Sequence, residues 1–122
     1  LRDVASMIAF PLRGQIYLVR LPGHPLDQKT RPALVVSLNA RNRMANDVLA
    51  VPLSTTLRPA PTHVFMQAGE GGLKRDSMAK CEQVTTLDKS FLFKGPLGTA
   101  IRPALMREVE KAVLRAIGVP IS

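Results

Sequence analysis

Apolar and polar positions change rhythm several times along this chain, and each change marks an element. In GQIYLVRL (14–21), Ile16 and Leu18 fall on one side and Tyr17, Val19 and Leu21 on the other. That alternation predicts a strand covered in part on both faces. LPGHPLDQKT (21–30) carries Pro22, Gly23 and Pro25 and reads as a loop. RPALVVSLN (31–39) is apolar almost throughout, as in a strand buried on both faces, and Pro32 is tolerated near its start. NARNRMAND (39–47) is a polar turn and DVLAVPLS (47–54) the next strand. After the loop TTLRPAP (55–61) come a strand in THVFMQ (62–67), a glycine-rich turn in AGEGGLKRD (68–76) and one more strand within SMAKCEQVTTL (77–87). The last places Met78, Lys80 and Glu82 opposite Ala79, Cys81 and Gln83.

Helical spacing belongs to the closing segment, RPALMREVEKAVLRAIG. Leu105, Val109, Ala112, Val113, Ala116 and Ile117 recur on one face, Pro103 suits a first turn, and Gly118 with Pro120 ends the run. Arg102 stands where a capping side chain is expected, so the start is weakly signalled. Five or six short strands and then one helix predict a mainly β fold: a small antiparallel barrel with a packed C-terminal helix. Such a fold names no function by itself.

Composition narrows the classes. The chain has 122 residues, 46% of them hydrophobic, which suits one folded domain. Aromatics make up 4% with no Trp, which weakens any base-stacking platform. Seventeen Lys and Arg face nine Asp and Glu, a net charge of +8, so nucleic acid or an acidic protein is the natural partner class. The excess is uneven: Arg13, Arg20, Lys29, Arg31, Arg41, Arg43 and Arg58 meet only Asp27 and Asp47. Cys81 is alone, which excludes an intrachain disulfide, and with His24 and His63 it makes no metal-ligand spacing. No metal or other cofactor is expected. A reducing cytoplasm is the simple reading, and no apolar run approaches a membrane span.

Several enzyme classes are absent by motif: there is no phosphate-binding P-loop and no G-x-S-x-G elbow. His24 and His63 form a conceivable acid–base pair, but one falls in a loop and the other inside a strand. Arg31, Ser54, Thr55 and Thr56 are the stronger group. If the turn at 39–47 joins two antiparallel strands, the start of the first lies beside the end of the second, and Arg31 meets Ser54. A guanidinium beside a hydroxyl suits a phosphodiester: the fork binds the oxygens while the hydroxyl donates or relays a proton. The same residues also fit a solvated strand end, an ion pair and a hydroxyl-capped turn.

RGQIYLVRL, RPALVVSLNARNR, VLAVPLSTT, PTHV and GGLKRDSMAKCEQVTTLDKSFL, in this order, resemble the MazF/PemK family of toxin endoribonucleases. The glycine of GPLG and the terminal AIG continue the likeness, which spans residues 11–119 and leaves 1–10 as an N-terminal extension. The resemblance implies a CcdB/MazF-type, SH3-like barrel, usually a homodimer. It implies a type II toxin that cuts single-stranded RNA without a metal, often at short sequences. A cognate antitoxin with a flexible acidic tail would neutralise it. By the same resemblance the catalytic residues are Arg31 and Ser54, where many members carry threonine. The resemblance adds Asp27, Gln28 and Gln83 as RNA contacts, and charge and strand-end position add Arg41, Arg43, Arg58, Thr55 and Thr56. Asp27 and Gln28 match the family's loop only approximately, and Arg13 is as readily structural. The expected products are a 2′,3′-cyclic phosphate and a 5′-OH. Arginine is a poor base, its pKa exceeding about 12, so electrostatic stabilisation is the expected role of Arg31. The rival on this fold is a CcdB-like gyrase poison that cuts no RNA.

Overall fold

The computed structural model describes residues 10–20 and 29–122. Among them are seven strands: β1 (Ile16–Val19), β2 (Arg31–Val35), β3 (Asp47–Ser54), β4 (His63–Met66), β5 (Ser77–Lys80), β6 (Thr85–Asp88) and β7 (Leu92–Lys94). Two α-helices join them, α1 (Asn39–Met44) and α2 (Pro103–Ala116). All strand pairs are antiparallel, in the order β4-β5-β3-β2-β1-β7, and β6 adds to β3 beside β5. The fold class and the closing helix are as expected. The ladder itself is not closed: β4 and β7 stand at its two ends.

β3 organises the molecule. Its first half pairs with β6, from Asp47↔Asp88 to Ala50↔Thr85, and its end pairs with β5 through Leu53↔Ala79 and Ser54↔Met78. Alternation along β3 sorts the two faces. Val51 and Leu53 join Ile16, Leu34, Met66, Ala79 and Cys81 in the main core. Ala50 points the other way, into a smaller cluster with Val19 and Ala33 that Leu87, Phe91 and Leu92 flank. Each fully buried Leu or Val contributes about 1.5–3 kcal/mol.

Two expectations about elements change. NARNRMAND is not a plain turn, because six of its residues close into α1. Buried Asn42 explains this: its Nδ2 donates to the Ser37 carbonyl at 3.0 Å, and the Ser37 hydroxyl bonds Asn42 Oδ1 while accepting from Leu49 N–H at 3.0 Å. SMAKCEQVTTL holds two strands, separated by a 3-10 turn at Cys81–Gln83. That turn buries Cys81 and bends the chain from β5 onto β6 without any Gly or Pro to announce it.

α2 lays Leu105, Met106, Val109 and Ala112 on the core. Ile117 is its C-cap and is exposed, and Gly118 takes φ +90, the left-handed conformation that glycine adopts freely. The helix start is capped from afar: Glu70 accepts from Arg102 N–H at 3.2 Å and from Arg102 Nε at 2.5 Å. A carboxylate there also complements the helix dipole.

Candidate functional site

The β2–β3 pairing runs Ala33↔Pro52, Leu34↔Val51, Val35↔Ala50. Continued two residues outward, this register sets Arg31 abreast of Ser54, and alternation puts both on the face of Ala33, Ala50 and Pro52. The ladder ends here because Pro32 and Pro52 have no N–H to donate. Two side chains are thus presented side by side where the β2–β3 ladder stops, while β1 still pairs Arg31 and β5 still pairs Ser54.

A groove of about 390 Å³ opens on this face. Its floor is Val19, Ala33, Ala50, Pro52 and Leu87, and Lys29, Arg31, Gln83 and Thr85 supply its polar groups. No carboxylate lines it among the described residues. Arg31 is exposed and takes part in no ion pair among the described residues. Its charge is therefore available to an anion. The Ser54 oxygen accepts from Thr56 N–H at 3.1 Å, which turns the strand end. A hydroxyl that accepts in this way still has its proton to donate. The capping role and a role toward substrate are compatible in one group.

The structure gathers some of the expected RNA contacts and not others. Arg31 and Gln83 line the groove, Ser54 stands abreast of Arg31 by register without lining it, and Thr55 and Thr56 follow Ser54 directly. Arg58 is exposed in the loop that follows β3. Asp27, Gln28 and His24 lie outside the described residues. Arg41 and Arg43 sit on α1, at the opposite end of β2 and β3, about 25 Å of strand away. Arg41 is also engaged, with Nη2 at 2.6 Å from Asp47 Oδ1 and Nη1 donating to the Asp47 carbonyl at 3.0 Å. Arg13, left open between a structural and an RNA-facing role, pairs with Glu110, and its N–H donates to Asn39 Oδ1 at 2.7 Å. Both arginines tie elements together.

His63 is a positioning residue, not a free base. Its Nδ1 is 2.7 Å from the Arg58 carbonyl and its Nε2 is 3.1 Å from Glu82 Oε2, with the side chain 9% exposed. Two acceptors facing two ring nitrogens favour the doubly protonated imidazolium. The hydrogen bonds to Arg58 and then Glu82 accordingly raise its pKa above the usual 6.5. Burial alone would push Glu82 up, but the bonds from His63 and Thr62 outweigh it and hold the carboxyl low. The clasp ties the loop carrying Arg58 to the turn carrying Gln83. No spacing in the sequence pairs these residues; the β4–β5 register, His63↔Lys80, brings them together. Burial pushes the Cys81 thiol up to about 12, so it serves as a core side chain.

Comparison with known proteins finds relatives over most of the chain. The family model of the PemK-like, MazF-like toxin of type II toxin–antitoxin systems matches residues 12–117. Endoribonuclease MazF4 of Mycobacterium tuberculosis is 36% identical over 110 residues, covering 90% of this chain and 95% of the relative. Endoribonuclease MazF1 of Mycobacterium bovis matches to the same extent. Among solved structures, an endoribonuclease in complex with its cognate antitoxin from a mycobacterial species superposes with a TM-score of 0.76 at 36% identity, covering 92% of this chain and 99% of that one.

Proposed function

This chain belongs to the PemK-like, MazF-like toxins of type II toxin–antitoxin systems, and from that premise we propose that it is an endoribonuclease whose reacting centre is the Arg31–Ser54 end of the sheet. One observation carries the reading: a guanidinium with no ion-pair partner among the described residues stands abreast of an oriented hydroxyl, at the rim of a groove whose described lining holds no carboxylate. That is a site for a phosphodiester. Relatives of 36% identity are named endoribonucleases, which supports the same class. The gyrase-poison reading is set aside, since the matched family model and relatives are of the PemK/MazF type.

The reaction uses the nucleophile that RNA itself carries. The ribose 2′-oxygen attacks the adjacent phosphorus, the 2′-O–P bond forms and the P–O5′ bond breaks. One proton leaves the 2′-OH and one arrives at the 5′-oxygen, giving a 2′,3′-cyclic phosphate and a 5′-OH. Arg31 binds the non-bridging oxygens and stabilises the charge that builds on them, an effect of about 3–4 kcal/mol for one well-placed donor. Ser54 donates its free proton to a phosphate oxygen or relays one to the leaving group. Among the described residues no carboxylate or imidazole lines the groove. Gln83, Thr55, Thr56 and Arg58 border the path and hold the strand. Asp27 and Gln28 are added from the loop before β2 on the strength of the family pattern alone.

The natural inhibitor is an antitoxin, as in the solved complex with a relative. An acidic, partly apolar tail would cover Arg31 and lay its apolar side chains on Ala33, Ala50 and Leu87. Pairing of two copies is inferred from the family pattern alone, and the cytoplasm offers both RNA and antitoxin. The test is direct. Purified protein is incubated with a long RNA in EDTA and the ends are mapped: discrete cuts bearing 5′-OH are expected, and intact RNA rejects the reading.

A further inference from the structure

A second groove, of about 510 Å³, opens at the same strand ends. Pro32 lines both grooves, so Arg31–Pro32 is the divide between them. Thr55, the residue after Ser54, lines the second groove, which therefore begins one residue beyond the proposed reacting hydroxyl. Its floor is apolar. One wall forms where Gly72, at φ +89, lies so close to Leu97 that any Cβ would collide with the Leu97 carbonyl oxygen.

The rim carries Lys74, Arg75 and Lys94. Strand pairing places Lys94 opposite Leu18, which in turn pairs with Pro32. Lys74 and Arg75 arrive from the turn before β5. All three are exposed, none joins an ion pair among the described residues, and no carboxylate lines this groove among them. Like charges gathered in a concavity raise the local potential and draw in a polyanion.

We propose that this end groove holds the RNA strand beyond the scissile bond, with Lys74, Arg75 and Lys94 on its phosphates and a nucleobase on the apolar floor. The inference rests on the endoribonuclease reading above. Continuity favours the substrate strand: a strand leaving the Arg31–Ser54 centre past Thr55 enters this groove directly, whereas the acidic tail drawn over Arg31 turns the other way, onto Ala33, Ala50 and Leu87.

The test uses a mixed-sequence 2′-O-methyl RNA of roughly 20 nucleotides, which lacks the attacking hydroxyl but keeps the full phosphate charge of such a strand. Its affinity is measured against salt for wild type, for Lys74→Gln/Arg75→Gln/Lys94→Gln, and for Arg107→Gln/Lys111→Gln/Arg115→Gln, which removes the same charge from α2. Each phosphate contact contributes about 0.7 to the logarithmic slope, so the groove variant should lose about 2 units and bind at least about tenfold more weakly at low salt. The α2 variant should change affinity less than about twofold and keep its slope. Lys74→Arg/Lys94→Arg should bind as wild type does, and melting curves verify folding. Equal losses in both triple variants overturn the proposal, because net charge alone then accounts for binding. A groove variant that binds the RNA normally overturns it too, and loss of only an acidic peptide would assign the groove to a protein. If wild type cuts long RNA while the groove variant keeps its slope, this inference fails alone; if wild type cuts nothing, the reading beneath it fails.

Discussion

The two ends of the β2–β3 pair are built from similar residues and partnered in opposite ways. At the α1 end, Arg41 is held by Asp47, Arg13 by Glu110, and Asn42 by Ser37. At the other end Arg31 has no carboxylate partner among the described residues, and Ser54 keeps a proton to give. Two arginines of one hairpin therefore differ in partners, not in chemistry. A cation whose charge is already answered holds the fold. A cation left unanswered beside a groove is held ready for a ligand, and it costs little stability because water solvates it until the ligand arrives.

The sharpest way to break this contrast is Arg31→Ala. RNA cleavage should fall by about two to four orders of magnitude while the melting temperature stays within a degree or so. A wild-type rate in this variant would place the chemistry elsewhere. Ser54→Ala should lower the rate by about 10²-fold, and Ser54→Thr should restore most of it because the hydroxyl is kept. If both variants cut alike, the hydroxyl is a turn cap and nothing more.

The α1 end should answer in stability instead. Asn42→Ala leaves buried polar groups around Ser37 unsatisfied and should cost about 1–3 kcal/mol in denaturant unfolding, with the rate per folded molecule unchanged. Arg41→Gln is milder. Its ion pair is more than a third exposed, so the loss should stay below about 1 kcal/mol, and the salt slope of RNA binding should not move. A flatter slope would mean that Arg41 reaches a phosphate and that the two ends share one function.

The smallest expected effect is a pH dependence of the His63–Glu82 clasp. Folded His63 holds its proton more tightly than the unfolded residue does. Its contribution is therefore complete below the usual 6.5 and is lost as pH rises through the raised folded value. Subtracting the melting curve of His63→Gln from that of wild type should show a difference at acidic pH that fades toward alkaline pH. A difference that grows with pH would reverse the assignment.

Legibility followed the strength of local punctuation. DVLAVPLS was readable to the residue, because polar Asp47 and the hydroxyls after Leu53 bracket an apolar run. The Arg31–Ser54 juxtaposition followed from hairpin geometry alone, since an antiparallel register fixes which ends meet. α1 was hidden because its stabiliser, Asn42, looks like a loop residue until Ser37 folds onto it. The split of SMAKCEQVTTL was hidden because the turn at Cys81–Gln83 is dictated by burying Cys81, a tertiary demand with no breaker residue. Arg41 and Arg43 were grouped with the groove by counting charge along the chain. Asp47, six residues past Arg41, was the visible sign that one of them was already spoken for. Lys74, Arg75 and Lys94 lie far apart in sequence and meet through pairings that no single stretch encodes.

The open sheet has a consequence for how copies of this chain behave when crowded. Among the described residues β4 and β7 end the hydrogen-bonded path and β6 pairs with β3 alone, so each turns one backbone edge away from its single described neighbour. An unprotected edge is a template on which another chain can add a strand and start a fibre. Here the templates, β4, β7 and β6, are four, three and four residues long. So short an edge offers an incoming strand only about two backbone hydrogen bonds, too few to offset the entropy of ordering it. Brevity at these edges thus guards against edge-to-edge growth, and lengthening β7 by even two alternating apolar residues should convert a bounded sheet into an aggregating one.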